Sequence, residues 1–424
     1  MSILFNSIAL LISMYFPPEP SGGSTHAWNR AMVLHKIGYS VIVICGFPAY
    51  PNGKVLDPKY KGKFFYIESM QPFKVIRFRL LPLKHVGYIK RLVLFLDFVF
   101  LTILYMPKIV RIAGKVSIVY SLAPIIFSSI IGFLYSIFTK SFFVYEAADL
   151  WPEELVVFRT FFTPIIMLFG KFVAKISYAI PDVIVTISGL AAEHITKEYK
   201  PKASVYGIPI GVDPNKYPRL SKYDSRVDLI KKEILPKELG NKFIVLYSGL
   251  ISNAQRIENL ADAANKLKDE KEIAILIFGE GEGKQKLEQL KLEYNLYNFY
   301  LLPFQPRHMM PTIISAADVC TVLLSSEPIF DVALPTKFYE YLACCKPIIG
   351  VCRGELANII NSSNIGHTVN AGDAIRLVSI IKELRNSPAL LQTMENNSYN
   401  TLKIFSLDSI SSKFLHLLKK EMKR

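Results

Sequence analysis

The 424-residue sequence predicts an α/β protein made of two parallel-sheet domains in tandem. Three observations carry that expectation. The chain is longer than one growing core usually holds. Both halves alternate short, continuously apolar runs with helical stretches, the pattern of strands buried on both faces of a parallel sheet. Between the halves, residues 214–240 turn polar and hold Pro214, Pro218 and Pro236 among mixed charges. The expected division is an N-terminal domain over 1–213, a linker and approach to the second domain over 214–240, and a C-terminal domain over 241–395. Helices and a basic tail then fill 396–424.

Hydrophobic residues make up 51% of the chain and charged residues only 20%, which excludes a disordered chain. The formal net charge is +15. Nucleic acid, an anionic membrane face and an anionic substrate are the partners such a charge suits. No zinc finger, RRM-like aromatic set or heptad repeat is present, so nucleic acid is not expected. The five cysteines are Cys45, Cys320, Cys344, Cys345 and Cys352. They are odd in number and sit mostly in apolar runs, as buried thiols in a reducing compartment do. Their spacing makes no zinc site, and no metal is expected. The start, MSILFNSIALLISMYFPP, lacks the basic region and small-residue cleavage site of a signal peptide, and reads as a first core strand.

In chain order, residues 3–14 are that strand. The loop YFPPEPSGGSTHAW follows, where Gly22 and Gly23 free the backbone to approach a ligand closely. Ser24 or Thr25 is placed to cap a helix running to about Lys36. Gly38 ends it, and VIVIC (41–45) is the next strand. Strand, glycine loop, helix and strand open a parallel α/β domain, although the spaced G-x-G-x-x-G pattern is absent. Residues 50–71 read as an irregular insertion and 74–80 as a short strand. A basic segment through Lys84, His85, Lys90 and Arg91 leads into the apolar run 91–115. That run either packs inside the domain or presses on lipid, with Lys90, Arg91, Lys108, Arg111 and Lys115 as basic neighbours.

Residues 116–138 carry no charge over a length that could span a bilayer. They read instead as strand, loop and helix, with SFFVYEAAD as the following strand. Glu146 and Asp149 lie at or just beyond its end, where α/β domains place their chemistry. Trp151-Pro152 starts a helix with Glu153 and Glu154 in its first turn. Asp149 is either the cap of that helix or a group at a bound sugar or acceptor. Residues 155–179 form a very apolar helical region. Residues 181–188 are a strand, Ser188 begins a short helix, and 203–213 close the domain.

The second domain opens with the strand FIVLYSG (243–249), a loop after Gly249 and the helix RIENLADAANKLKD. Strand EIAILIFGEG (272–281) brings the glycines Gly279, Gly281 and Gly283. The alternation continues through 299–304, 309–317 and 319–325. The stretch DVALPTKFYEYLACCKPII (331–349) holds Lys337 and Glu340 at i and i+3 on one helical face. It is either a capped helix with a surface salt bridge or a grip on a nucleotide sugar. In the second reading, Lys337 and the first-turn N–H groups meet an anion and Glu340 accepts hydroxyls. Gly354, Glu355 and Leu356, at the start of the next helix, make a second anion site.

Together these stretches resemble the GT-B glycosyltransferases of family 4, in the branch with DLWP and PSK-x-x-EY motifs. The loop YFPPEPSGGSTHAWNRAM resembles the family's N-terminal glycine loop, and ADLWPEE its RDLWPE motif. IPIGVD, FGEG, SAAD and LPTKFYEYLACCKPIIG resemble further family segments, and the resemblance covers nearly the whole chain. It implies a GT-B fold, with two Rossmann-like domains facing across a cleft and the last helices returning to the N-terminal domain. It implies a retaining, metal-independent hexosyltransferase-like enzyme without a cofactor, using a nucleoside-diphosphate sugar that is UDP-linked.

Residue by residue, the resemblance puts Lys337 on the diphosphate or sugar, Glu340 on the ribose, and the N–H groups of Gly354, Glu355 and Leu356 on phosphate. Gly249 and Gly279 belong to the same donor site. Gly22 and Gly23 approach the diphosphate from the other domain. The acceptor, a lipid-linked saccharide, lies against the N-terminal domain near Asp149 and His26. The enzyme then sits at the cytoplasmic side of the cell membrane, peripheral or monotopic, on an anionic surface.

The chain departs from the family pattern at three places. Val332 stands where many members have Glu. Residues 249–256 read GLISNAQR where the branch has G-N-x-G-R-A-Q-G, so Asn253 replaces an Arg and Arg256 is the candidate to supply the missing charge. Ala148 replaces the Arg of RDLWP. These departures keep two other readings open: a noncatalytic nucleotide-sugar or lipid-glycan binding protein, and a sugar-nucleotide epimerase.

Overall fold

The computed structural model describes residues 7–50, 52–55, 57–84, 88–123, 127–154, 163–222, 224–252 and 254–423. The chain divides into two compact units. The first holds Met1–Ile210 and Leu407–Arg424, the second Gly211–Ser406. Each is an α/β unit around one sheet, and together they are the GT-B architecture.

The first sheet has eight strands: β1 (Ile8–Ile12), β2 (Ser40–Gly46), β3 (Phe65–Met70), β4 (Phe73–Phe78), β5 (Val116–Ala123), β6 (Phe142–Ala147), β7 (Val183–Thr186) and β8 (Ser204–Gly207). Their order is β3-β4-β2-β1-β5-β6-β7-β8, parallel except for β3, which pairs antiparallel with β4. Leu10 of β1 pairs with Ile42 of β2 on one side and with Val119 of β5 on the other. The strand order therefore reverses between β1 and β5, a switch point of the kind beside which open α/β sheets bind ligands. Right-handed crossovers put the helix Gly22–Lys36 and the helix Ser128–Thr139 on opposite faces of the sheet.

The second sheet has six parallel strands: β9 (Phe243–Ser248), β10 (Ile273–Phe278), β11 (Phe299–Leu302), β12 (Val319–Leu323), β13 (Ile348–Val351) and β14 (Gly366–Val369). Their order is β11-β10-β9-β12-β13-β14, so this sheet reverses between β9 and β12. Every residue of β9, β10 and β12 is buried, which explains their unbroken apolar sequence.

The last helix, Leu407–Glu421, returns to the first unit, as the resemblance implied. It packs on Gly22–Lys36, and Ile410, Phe414, Leu417 and Leu418 join the core of that unit. The chargeless stretch 116–138 is β5 followed by the start of Ser128–Thr139. Among the described residues no single helix is long and apolar enough to cross a membrane. One pair, Ile89–Leu104 with Met106–Ala113, reaches that length and composition only together and is bent by 61°.

Three local expectations are corrected. The insertion 50–71 contains β3, an edge strand only half-buried, so its apolar pattern is weak. The linker 214–240 contains the helix Ser225–Glu233, capped by Asp224 and fixed by buried Val227 and Ile230. The helix after the glycine loop starts at Gly22, and Ser21 rather than Ser24 or Thr25 caps it, accepting from the Ser24 amide. The helix expected from Trp151-Pro152 is described only as the turn over 151–154; its continuation through 155–162 lies outside the described residues, as do His85 and Asn253.

Candidate functional site

The second unit builds its candidate site at the switch between β9 and β12. The helix Thr336–Ala343 is fastened there by Tyr341, whose buried hydroxyl accepts from the Ser248 amide at 2.8 Å. Ser248 ends β9, and Gly249 follows with φ +135°, a conformation that favours glycine. The helix's first turn then directs Lys337 back to this strand end. Lys337 Nζ donates to Tyr247 Oη at 2.6 Å and to Gln255 Oε1 at 3.1 Å, and lies 4.0 Å from the Tyr247 ring centroid. The side chain keeps part of its surface exposed. Desolvation nevertheless pushes its pKa down to about 7, against the opposing charge of Glu340.

Among the described residues, Glu340, one turn on, is bonded through a single oxygen. Tyr217 Oη donates to its Oε1 at 3.0 Å and Arg307 Nη2 at 2.6 Å. Arg307 stands on the short 3-10 turn Arg307–Met309. The sequence reading missed Arg307, Tyr217 and Tyr247. No spacing signal connects them to the helix. Gln255 was not singled out either, although it coincides with the Gln of the family pattern.

Arg256 follows Gln255 directly and is exposed, with no side-chain ion pair among the described residues. Its φ is +48°, and its carbonyl accepts from the Asn259 amide and side chain. Arg256 occupies the position of the last glycine in the family pattern, and the backbone still takes the left-handed form that glycine would allow. Gly279 lies at the end of β10, where a β-carbon would stand 2.2 Å from the Gly249 carbonyl oxygen. Its amide donates to the Leu302 carbonyl at 3.4 Å, and a side chain there would collide with the end of β9.

The helix Gly354–Ser362 begins close to the segment 326–332. A β-carbon on Gly354 would lie 1.9 Å from the Asp331 carbonyl oxygen, and φ there is +66°. Arg353 donates to the Ser326 carbonyl at 2.8 Å and pairs with Asp331 at 3.4 Å. Glu355 sits in the first turn and the Leu356 side chain is buried, so Leu356 can offer a ligand only its backbone. Val332 ends the 3-10 segment Pro328–Val332.

In the first unit, Gly22 and Gly23 are the exposed first residues of a helix, where unbonded N–H groups lie. His26 is buried, and its Nε2 lies 2.8 Å from Glu146 Oε1. Arg30, fully buried, donates to both Glu146 oxygens and to the carbonyls of Ile208 and Pro209. Tyr120 adds a 2.5 Å bond to Glu146. Burial opposes the charge on Glu146, but Arg30 and His26 outweigh it and hold its pKa well below the carboxylate range. Glu146 is thus the anchor of a buried network that fixes the first helix on β6.

Asp149, just beyond β6, is exposed. Surrounding protein still raises its carboxyl pKa, with His26 and Arg91 opposing. Glu154 is raised well above its ordinary value by burial and then by Asp149, again against Arg91. Arg91 is thus within electrostatic reach of both Asp149 and Glu154, and His26 of Asp149. Among the described residues, no group of three or more His, Cys, Asp or Glu is placed to hold a metal ion.

The two-unit α/β frame defines the chain as a GT-B-fold protein. Residues 230–401, which contain the Lys337 site, match the family model described as Glycosyl transferases group 1. Over 121 residues the chain is 34% identical to WcaI of Escherichia coli (strain K12), whose name places it among colanic acid biosynthesis glycosyl transferases. That match spans 28% of each chain. The fold is similar to the sucrose-phosphate synthase of Thermosynechococcus elongatus, with a TM-score of 0.75 and 19% identity over 99% of this chain and 100% of that one. It is also similar to Anabaena HepE in complex with UDP, with a TM-score of 0.69 and 16% identity over 98% and 100%. At these identities the structural likeness shows the fold.

Proposed function

We propose that the chain is a retaining glycosyltransferase of family 4. It would move a hexose from a UDP-linked donor to a lipid-linked saccharide at the cytoplasmic side of the membrane, without metal or cofactor. The observation that carries this reading is the Lys337 arrangement: a cation, a glycine strand end and a pre-oriented carboxylate at a sheet switch point. Anabaena HepE, which shares the fold, is described with UDP and with UDP-glucose.

The chemical problem is departure of a diphosphate from an anomeric carbon. Positive charge and oriented N–H groups stabilise that leaving group. Lys337 and Arg256 supply the charge, and the helix start at Gly354, Glu355 and Leu356 supplies N–H groups. Glu340, bonded through Oε1, keeps Oε2 for ribose hydroxyls. The acceptor lies near Asp149 and His26. Front-face attack gives retention, and the leaving phosphate helps remove the acceptor proton.

The test is a donor panel of UDP-glucose, UDP-galactose, UDP-N-acetylglucosamine and GDP-mannose, with and without membrane lipid extract, read by mass. The reading expects UDP release and a lipid saccharide heavier by one sugar. Donor interconversion without acceptor would instead identify an epimerase. UDP binding with neither product would identify a binding protein.

A further inference from the structure

The first unit has an outer helical layer that is apolar on both sides. The helix Tyr88–Leu104 buries Leu94, Phe95 and Phe98 inward. Its opposite side exposes Ile89, Val93, Leu96, Phe100 and Ile103, and Phe100 is 62% exposed. Those positions are spaced by 4, 3, 4 and 3 residues, so they form a single row along the helix. The helix Thr163–Ala179 repeats the arrangement. Val173, Ala174 and Tyr178 face inward, while Leu168, Phe169, Phe172 and Ile176 are exposed, Leu168 by 76%. Both helices pack beside Ser128–Thr139, which exposes Ile137 and Phe138 at its end. The two rows therefore belong to one side of the unit.

An outer helix normally turns polar residues to water, and contiguous apolar surface on this scale marks an interaction site. The charges around the rows choose the partner. The helices Tyr88–Leu104, Met106–Ala113, Ser128–Thr139 and Thr163–Ala179 carry Lys90, Arg91, Lys108, Arg111, Lys171 and Lys175 and a single acid, Asp97. The Asp97 carboxylate is occupied by the Leu81 amide at 2.8 Å. Lys171 and Lys175 lie on one edge of the Leu168–Phe172–Ile176 row, where lysine stems can lie along apolar surface with their heads at a polar boundary.

We propose that this layer is a docking surface for an anionic lipid bilayer, with Phe100, Leu168, Phe169 and Phe172 entering the acyl boundary and lysines such as Lys171 and Lys175 meeting headgroup phosphates. Apart from Asp97 these four helices offer no carboxylate, so the charge on them suits an anionic surface. The inference deepens the lipid-acceptor reading by naming the surface, but the observations behind it are independent of catalysis.

The experiment is co-sedimentation of the full chain with vesicles of phosphatidylcholine alone, and with vesicles holding about a third phosphatidylglycerol, at low and high salt and with no donor present. Binding is expected on the anionic vesicles and should weaken with salt. The double variant F100S/F172S should lose about tenfold or more in partitioning. K171Q/K175Q should lose on the order of thirtyfold on anionic vesicles alone. Unchanged thermal unfolding would show that both variants fold, since all four side chains are exposed. No vesicle binding, or binding indifferent to both variants, would overturn the proposal. A concentration-dependent dimer in solution that F100S/F172S abolishes would also overturn it, and would assign the layer to a second copy. Because the assay contains no donor or acceptor, its failure is separate from failure of the transfer assay.

Discussion

A β-carbon at position 249 would stand 3.0 Å from Nζ of Lys337. The bare strand end is what lets the ammonium lie at the switch point of the second sheet. Gly249→Ala therefore acts twice: φ +135° becomes strained for any L side chain, and the new methyl presses on Lys337. A stability loss of about 1–3 kcal/mol is expected in denaturant unfolding. Calorimetric titration with UDP should show a loss of tenfold or more beyond that. UDP binding at the wild-type level in a folded Ala variant would show that the close approach has no role.

Arg256 carries a different tension. Its left-handed backbone costs an L residue roughly 1–2 kcal/mol, part of which glycine would return as chain entropy. Arg256→Gly is expected to raise stability by about 0.5–1 kcal/mol and to weaken UDP binding by about tenfold. A gain in stability with unchanged UDP affinity would remove Arg256 from the phosphate clamp and leave it as a strained loop residue.

Glu19 gives a pH test away from the site. It is 4% exposed, and its Oε1 accepts from the Ala49 and Tyr50 amides at 3.0 and 2.9 Å. Burial pushes its pKa up to about 7, beyond what those amides offset. The folded state then holds this proton more tightly than the unfolded chain. Stability from this group is full below about pH 4.5 and falls as pH rises to about 7. Glu19→Gln keeps an acceptor without the charge. It should be nearly neutral at pH 4 and stabilising by up to about 3 kcal/mol at pH 8, read from urea midpoints at both pH values. Equal effects at the two pH values would contradict this.

Lys337 supplies the matching test on binding. With a pKa of about 7 in the free protein, it must take up a proton to meet a diphosphate above that pH. UDP affinity should fall by up to about tenfold per pH unit above 7. Lys337→Arg, charged throughout, should remove that slope even if it binds less tightly. A wild-type affinity flat from pH 7 to 9 would show that Lys337 does not carry the anion.

The sequence made some of this legible and hid the rest for physical reasons. Strands such as β9, β10 and β12 are buried on both faces, so their apolar runs announce them. β3 is an edge strand holding Glu68, and the helix Ser225–Glu233 buries only Val227 and Ile230, so neither stands out from polar surroundings. Lys337 and Glu340 could be paired because one helix carries both. Their supporters could not. Arg307 and Tyr217 lie 33 and 123 residues from Glu340, and Tyr247 lies 90 from Lys337. Glu146 was read as a possible reacting group because it ends a strand, but its partner Arg30, 116 residues away, makes it an anchor instead.

Lys337 is proposed to hold the departing diphosphate. Turnover of a UDP-sugar onto lipid extract, compared between the wild type and Lys337→Ala, tests it most directly. The expected result is a loss of at least about a hundredfold in transfer with an unchanged unfolding midpoint. Turnover in Lys337→Ala equal to that of the wild type would show that Lys337 does not hold the diphosphate.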